Sequence, residues 1–273
     1  MYPYAQICEK VAEFNYLFGV IDYKYPDNNN GIDYDKFNKQ SEKYNEIQVK
    51  LRVNLIREEV NELKDAIYTK NSIEIIDALC DILYVVAGAK AYFNLPIDEF
   101  VDKELFFNRT LNVSQYSSLE EKNLTNIIEQ LENENVKKYF QKIRNNLGIL
   151  HNITDLILNQ DHSYYRSYFL KQLGKLYNRS LDKIVANIFK LEKQFSINLI
   201  HQFDIVHSSN MTKVCIDIKD AEDTVEWYKQ NELRYKEPAF REIEYNNKNY
   251  FVIYDCETNK ILKSIKYIPA KFI

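Results

Sequence analysis

The chain has 273 residues, 45% of them hydrophobic and 28% charged, with 36 basic against 40 acidic side chains. This is enough apolar material to bury a core, and the charge balance offers no general attraction to nucleic acid. Five glycines and five prolines are too few for a many-stranded sheet protein with its turns, so the expected class is mainly helical.

No stretch reaches the ~18 apolar residues that a membrane helix needs. The longest run, Ile82 to Ala89, is stopped by Asp81 on one side and Lys90 on the other. The first residues, MYPYAQICEKVAEF, lack a basic patch followed by an apolar segment, so no secretory signal and no membrane partner are expected. Cys8, Cys80, Cys215 and Cys256 show no paired spacing, which argues against a disulfide framework or zinc ribbon and fits a reducing, cytoplasmic setting.

Ile7, Val11, Phe14 and Phe18 recur at helical spacing and predict a first helix. A loop is expected over 21–35, where Pro26, Asp27 and Gly31 fall, and then a long helix from Phe37 to Thr69. Asn71-Ser72 offers a turn and an N-cap for a helix over 73–93, with Pro96 beyond it and a shorter helix over 97–106. Ser117 or Ser118 opens a further helical region that continues with breaks to Phe203. After Lys213 the pattern changes: Tyr250–Tyr254 and Lys260–Lys266 flank Glu257-Thr258-Asn259 and read as a β-hairpin.

Apolar placement from Leu51 resembles that from Ile143, and placement from Ala89 resembles that from Lys190. Two readings stand: a degenerate tandem duplication, or two amphipathic helical hairpins that look alike. In the second segment Leu150, His151 and Thr154 stand where Glu58, Glu59 and Glu62 do in the first. The division expected is 1–105 with the acids, 106–205 as an additional helical region, and 206–273 as an α+β tail.

The acids carry the most information. With Ile56 at zero and about 100° per residue, Ile56, Val60, Leu63 and Ile67 form one apolar stripe. Glu59 falls at about 300° and Glu62 at about 240°, with Leu55 and Ala66 between them, so both are expected to face inward; Glu58 sits at the edge, near 200°. On the next helix Glu74, Asp77 and Asp81 share a stripe at about 220–280°, on a segment otherwise apolar nearly all round. Buried carboxylates cost several kcal/mol each unless a cation or donor compensates. Five or six of them from two antiparallel helices make an oxygen-only set suited to Mg²⁺ or Mn²⁺. The plainer alternative is that each stripe is the solvent face of its helix. His201 and His207 lack acid or cysteine partners at metal spacing and read as structural, Cys80 as a small core residue, and Trp227 and Tyr228 as packing the tail on the bundle.

The run REEVNE, Arg57 to Glu62, followed by EIIDALCDILYVVAG, Glu74 to Gly88, resembles the EExxE…ExxD signature of the MazG-like all-α NTP pyrophosphohydrolases. Their phosphoribosyl-ATP pyrophosphohydrolase-like branch is the nearer match: VAEFNYLFGV from Val11, VHSSNMTK from Val206 and KILKSIKYIP from Lys260 are similar to its segments in family order. The resemblance covers residues 8–105 and 200–273 and implies a four-helix bundle, built as a homodimer or as a single-chain pseudo-dimer. It implies Mg²⁺-dependent hydrolysis of an NTP or dNTP between the α and β phosphates, giving the monophosphate and pyrophosphate. Within that, dUTP and phosphoribosyl-ATP are alternative substrates; outside it, the chain is an inactive helical binding protein of the same descent.

By the resemblance Glu59, Glu62, Glu74, Asp77 and Asp81 hold metal and Glu58 activates the attacking water, with an exchange of roles between Glu58 and Glu59 left open. Lys213, Lys263 and Lys266 are the cations for phosphate, Asn210 a donor to ribose or phosphate, and Tyr267 a stacking surface. Asn15 stands where the family usually has histidine, and Tyr84 is a second candidate for stacking on a base.

Overall fold

The computed structural model describes residues 3–21, 42–97, 121–158, 166–245 and 247–272. The loop expected over 21–35, the start of the long helix at 37, the helix over 97–106 and the caps at 117 and 118 therefore lie wholly or largely outside the described residues. Those described form eight helices and one antiparallel hairpin: α1 (Pro3–Leu17), α2 (Glu42–Thr69), α3 (Ser72–Tyr92), α4 (Glu121–Gln130), α5 (Glu134–Leu158), α6 (Arg166–Phe195), α7 (Leu199–Met211), α8 (Ile218–Asn231), β1 (Pro238–Tyr245) and β2 (Lys248–Asp255). The chain is mainly helical, as composition implies.

α2 and α3 are joined by a tight turn in which Lys70 takes φ +54°. Asn71 caps α3, its side chain accepting from the amides of Ile73 and Glu74 at 3.2 and 3.3 Å. This satisfies two of the amide donors that every helix start leaves open. α3 is apolar nearly all round and runs through the centre, with Ile75, Leu79, Ile82, Leu83 and Val86 fully buried. It packs against α1, α2, α6 and α7. α5 pairs with α6, α5 also packs on α2, and α6 on α3, so two antiparallel helix pairs make a four-helix bundle.

At the positions that match Glu58, Glu59 and Glu62 the second pair carries no acids. Leu150 and Thr154 are buried, and the Thr154 hydroxyl donates to the Leu150 carbonyl at 2.9 Å. His151 lies against Arg57 of α2, with 2.6 Å between Nε2 and Nε. Across the bundle, Lys90 of α3 is fully buried and its ammonium stands 2.6 Å from the Asp182 carboxylate of α6.

The hairpin differs from the one the sequence predicts. Tyr250–Tyr254 is strand, within β2, but its partner is the upstream β1, with Tyr245 opposite Lys248 and Asn247 at φ +58° between them. Lys260–Lys266 makes only one bridge, Ile261 to Tyr254, with Leu262 N donating to the Ile253 carbonyl at 2.9 Å. The reason is side-chain alternation. In β2, Phe251 and Ile253 turn to a small core with Cys215, Ala221 and Val225, while Val252 turns to the main core. β1 supplies a full register for both faces; the Lys-rich tail has apolar residues for only a short stretch. Of the two aromatic residues expected to pack the tail, Trp227 is 44% exposed, and Tyr228 is buried against Leu262 and Ile253.

Candidate functional site

A cavity of about 420 Å³ opens between α1, α2, α3, the C-terminal part of α7 and the tail after β2. Of the residues singled out from sequence, Asn15, Glu59, Asp77, Asp81, Tyr84, Asn210, Lys213, Lys263 and Tyr267 all line it. They come from five separate parts of the chain.

Glu59 and Asp81 face each other across the α2–α3 seam, which the tight turn at Lys70 and Asn71 brings together. Glu59 is pushed up to about 9, by burial first and then by the charges of Asp81, Glu62 and Glu58. Asp81 is pushed up to about 7 by burial and by Asp77, and Asp77 to about 6 by burial and by Glu74 and Glu62. Lys213 is pulled down to about 8, chiefly by burial, although Asp81 and Glu59 oppose this. Acids that want a cation therefore sit beside lysines that want an anion, in one enclosure.

Glu62, expected to face inward, is exposed at the rim, as is Glu74. At about 240° Glu62 stands a full 60° further round the helix than Glu59, enough to carry it from the seam to water. Glu58 is also outside the cavity lining. Its carboxylate is half exposed and pairs with Lys260 at 3.3 Å. Lys266 is not a site residue by position: its ammonium pairs with Asp220 of α8, away from the cavity. Among the described residues, no three acidic, histidine or cysteine side chains stand close enough together, as arranged, to hold a metal ion. The donor set nonetheless fits a hard divalent cation, being all carboxylate, with Glu62 and Glu74 on exposed side chains at the rim.

The two family-like segments of the C-terminal third are knitted together. Ser209 Oγ lies 2.8 Å from Tyr267 Oη and donates to the Ile268 carbonyl at 2.7 Å. Thr212 Oγ1 donates to the Ser209 carbonyl at 2.7 Å and accepts from Ile268 N at 2.9 Å. Ser264 N donates to the Lys213 carbonyl at 3.1 Å. These bonds set Lys263 and Tyr267 in the cavity wall, with the Lys263 ammonium 4.5 Å from the Tyr267 ring centroid. Tyr84 is held from behind: its hydroxyl is 3.2 Å from His207 Nδ1, and its ring stacks on Phe203 at 5.5 Å.

The polar residues of the wall that were not anticipated include Gln48, Arg52, Arg241 and Lys260. Arg52 lies seven residues before Glu59, two helical turns along the same face, so the sequence held a signal for it. Arg241 donates to the carbonyls of Phe18 and Gly19, the latter at 3.2 Å, and stacks over Tyr254 at 5.0 Å. Its place depends on β1 docking against the end of α1, which no local pattern announces.

Residues 30–103 match the phosphoribosyl-ATP pyrophosphohydrolase family. An uncharacterized protein of Acanthamoeba polyphaga mimivirus is 33% identical over 229 residues, covering 79% of this chain and 78% of the viral one. Residues 30–103 carry a phosphoribosyl-ATP pyrophosphohydrolase domain, of the MazG-like all-α superfamily. No solved structure matches the chain. The family of that domain is one of nucleotide pyrophosphohydrolases, which generally use a divalent metal ion. The family match spans α2 and α3, the two helices that carry all six acids, and stops short of the tail that supplies Lys260 and Lys263. Among the described residues no helix is long and apolar enough to cross a membrane.

Proposed function

We propose that this phosphoribosyl-ATP pyrophosphohydrolase relative is a Mg²⁺-dependent nucleoside triphosphate pyrophosphohydrolase, cleaving an NTP or dNTP between the α and β phosphates. The carrying observation is a single cavity that sets Glu59, Asp77 and Asp81 beside Lys213 and Lys263. Asp77 and Asp81, with Glu62 and Glu74 at the rim, are the ligands for the ion. A bound Mg²⁺ or Mn²⁺ supplies charge neutralisation at the phosphate oxygens and acidifies the attacking water. Lys213, Lys260 and Lys263 hold phosphate oxygens by charge-assisted hydrogen bonds, and Asn210 donates to ribose or phosphate.

Of the paired glutamates, Glu59 rather than Glu58 is the better base. It faces the cavity, and burial with the neighbouring carboxylates raises its proton affinity, which suits the removal of a proton from water. Glu58 instead keeps Lys260 at the mouth. The α5–α6 pair takes the position of partner helices, so the chain works as a pseudo-dimer in itself.

A second reading, an inactive nucleotide-binding descendant, is favoured by one observation: the acids do not encircle an ion as they stand. Incubating the protein with a panel of NTPs and dNTPs plus Mg²⁺, and separating products by ion exchange, decides between them. The enzyme gives monophosphate and pyrophosphate, and Glu59→Gln abolishes both. Absence of turnover on every nucleotide rejects the enzyme and leaves the binding protein.

A further inference from the structure

The cavity has two chemically different ends. Glu59 and Arg52 on α2 are seven residues apart, as are Asp81 and Gly88 on the antiparallel α3, which is two helical turns or about 10 Å in each case. Arg52 and Gly88 therefore share a level well away from the acids. A Cβ on Gly88 would stand 3.7 Å from Asn15 Nδ2 and 3.9 Å from an Arg52 terminal nitrogen, so the three converge on one patch of cavity floor. Gln48, one turn before Arg52, accepts from the guanidinium at 3.5 Å. Asn15, Gln48 and Arg52 are 4, 4 and 8% exposed, and Tyr92 covers one face of the guanidinium at 4.8 Å.

The polarity of this end is fixed. Asn15 Nδ2 donates to the Gly88 carbonyl at 3.5 Å, which leaves Oδ1 as the acceptor of that amide. Gln48 uses its oxygen on Arg52, which leaves its amino group to donate. Arg52 has donors only and cannot reverse them. The wall thus presents fixed donors beside one acceptor. That is the complement of a ring carbonyl next to a ring N–H, the edge shared by uracil, thymine, guanine and hypoxanthine. Adenine and cytosine carry the reverse pattern, an amino group next to a bare ring nitrogen. Against this wall the amino group would meet a guanidinium, and the ring nitrogen would meet the Asn15 oxygen.

We propose that Asn15, Gln48 and Arg52 read the base of the bound nucleotide and select oxo-bases over amino-bases. The inference rests on the nucleotide reading above and adds its specificity. About two helical turns between acids and base-reading residues give room for the sugar between the phosphates and the base edge. Gly88 keeps the floor open, since any side chain there would occupy the space between Asn15 and Arg52.

The test is binding rather than turnover. Calorimetry of dUMP, dGMP, dAMP and dCMP with the full chain in Mg²⁺ is expected to show dUMP and dGMP bound about tenfold or more tightly than the other two, the worth of one hydrogen bond to a charged group. Arg52→Gln is expected to bring the four within about twofold of one another. Should Arg52→Gln fail to fold, Gln48→Leu serves, with the same narrowing expected. Equal affinities in the wild type, a preference for dAMP or dCMP, binding of none of the four, or selectivity surviving in the folded variant each overturn the proposal. Selective binding without hydrolysis would reject the enzyme while keeping this inference, and hydrolysis without base preference would do the opposite.

Discussion

Lys90 and Asp182, on the central helices of the two pairs, meet at 2.6 Å with their side chains 0 and 5% exposed. The same ammonium donates to the Pro96 carbonyl at 2.8 Å and to Asn178 Oδ1 at 2.7 Å. It is thus satisfied on three sides, and it pins the end of α3 to α6.

Breaking this pair is expected to cost more than its presence contributes, because one charge would be left buried without its counter-charge. Lys90→Met should lower unfolding stability by about 3–5 kcal/mol in urea titration. Lys90→Met combined with Asp182→Leu should recover a good part of that loss. A single variant within 1 kcal/mol of the wild type, the order of an exposed pair, would show that the two charges do not depend on each other.

The acid cluster predicts a pH dependence. Glu59 rises from 4.5 to about 9, Asp81 from 3.8 to about 7 and Asp77 from 3.8 to about 6 on folding. A raised folded pKa favours the protonated folded state, so this contribution is complete below about pH 4 and is lost as pH rises through 6, 7 and 9. The metal-free protein should accordingly melt at lower temperature at pH 8 than at pH 5.5. Glu59→Gln should shallow that slope, and millimolar Mg²⁺ should raise Tm more at pH 8, where the ligands are less protonated. A melting temperature flat with pH in both proteins would contradict the clustering.

The joint between α7 and the tail gives a third expectation. Thr212→Val removes the acceptor for Ile268 N and the donor to the Ser209 carbonyl, at a cost of about 1–3 kcal/mol. Since the joint sets Lys263 and Tyr267 in the wall, KM should rise more than kcat falls. Equal loss in both, or none in either, would separate the joint from the site.

Gly19 has φ +61°, and a Cβ there would stand 2.9 Å from Ile243 Cδ1 and 3.3 Å from Arg241 Cζ. Gly19→Ala should cost about 1–2 kcal/mol for the left-handed backbone and push Arg241 out of the cavity wall. Chemical denaturation measures the first effect and nucleotide affinity the second. Gly88→Ala is the contrast in stability alone, with contacts no closer than 3.7 Å and a gain in helix propensity of about 1 kcal/mol.

The acids of the site were readable because α2 and α3 are long, regular and joined by a turn with its own cap. Periodicity alone put Glu59 and Asp81 on inward arcs, and it failed at Glu62, where an arc boundary of a few tens of degrees decides between seam and water. The cations were harder. Lys213 and Lys263 came from segment resemblance, Lys266 was misplaced by it, and Lys260 and Arg241 depend on how the tail docks. β1 was overlooked although Arg241, Ile243 and Tyr245 alternate onto its bundle-facing side, because its charged residues hide the apolar half of the pattern.

The ties that close the cavity span great lengths of chain: Lys10 with Asp204, Arg241 with Phe18, and Glu58 with Lys260 are 194, 223 and 202 residues apart. The α2–α3 hairpin needs no such reach. Local helices form early and distant closures late, since the entropy of loop closure must be met before those contacts return anything. On refolding, helicity should therefore recover before the ability to hold a nucleotide. Under mild denaturant the order reverses, and the protein loses its ligand while its helices still stand.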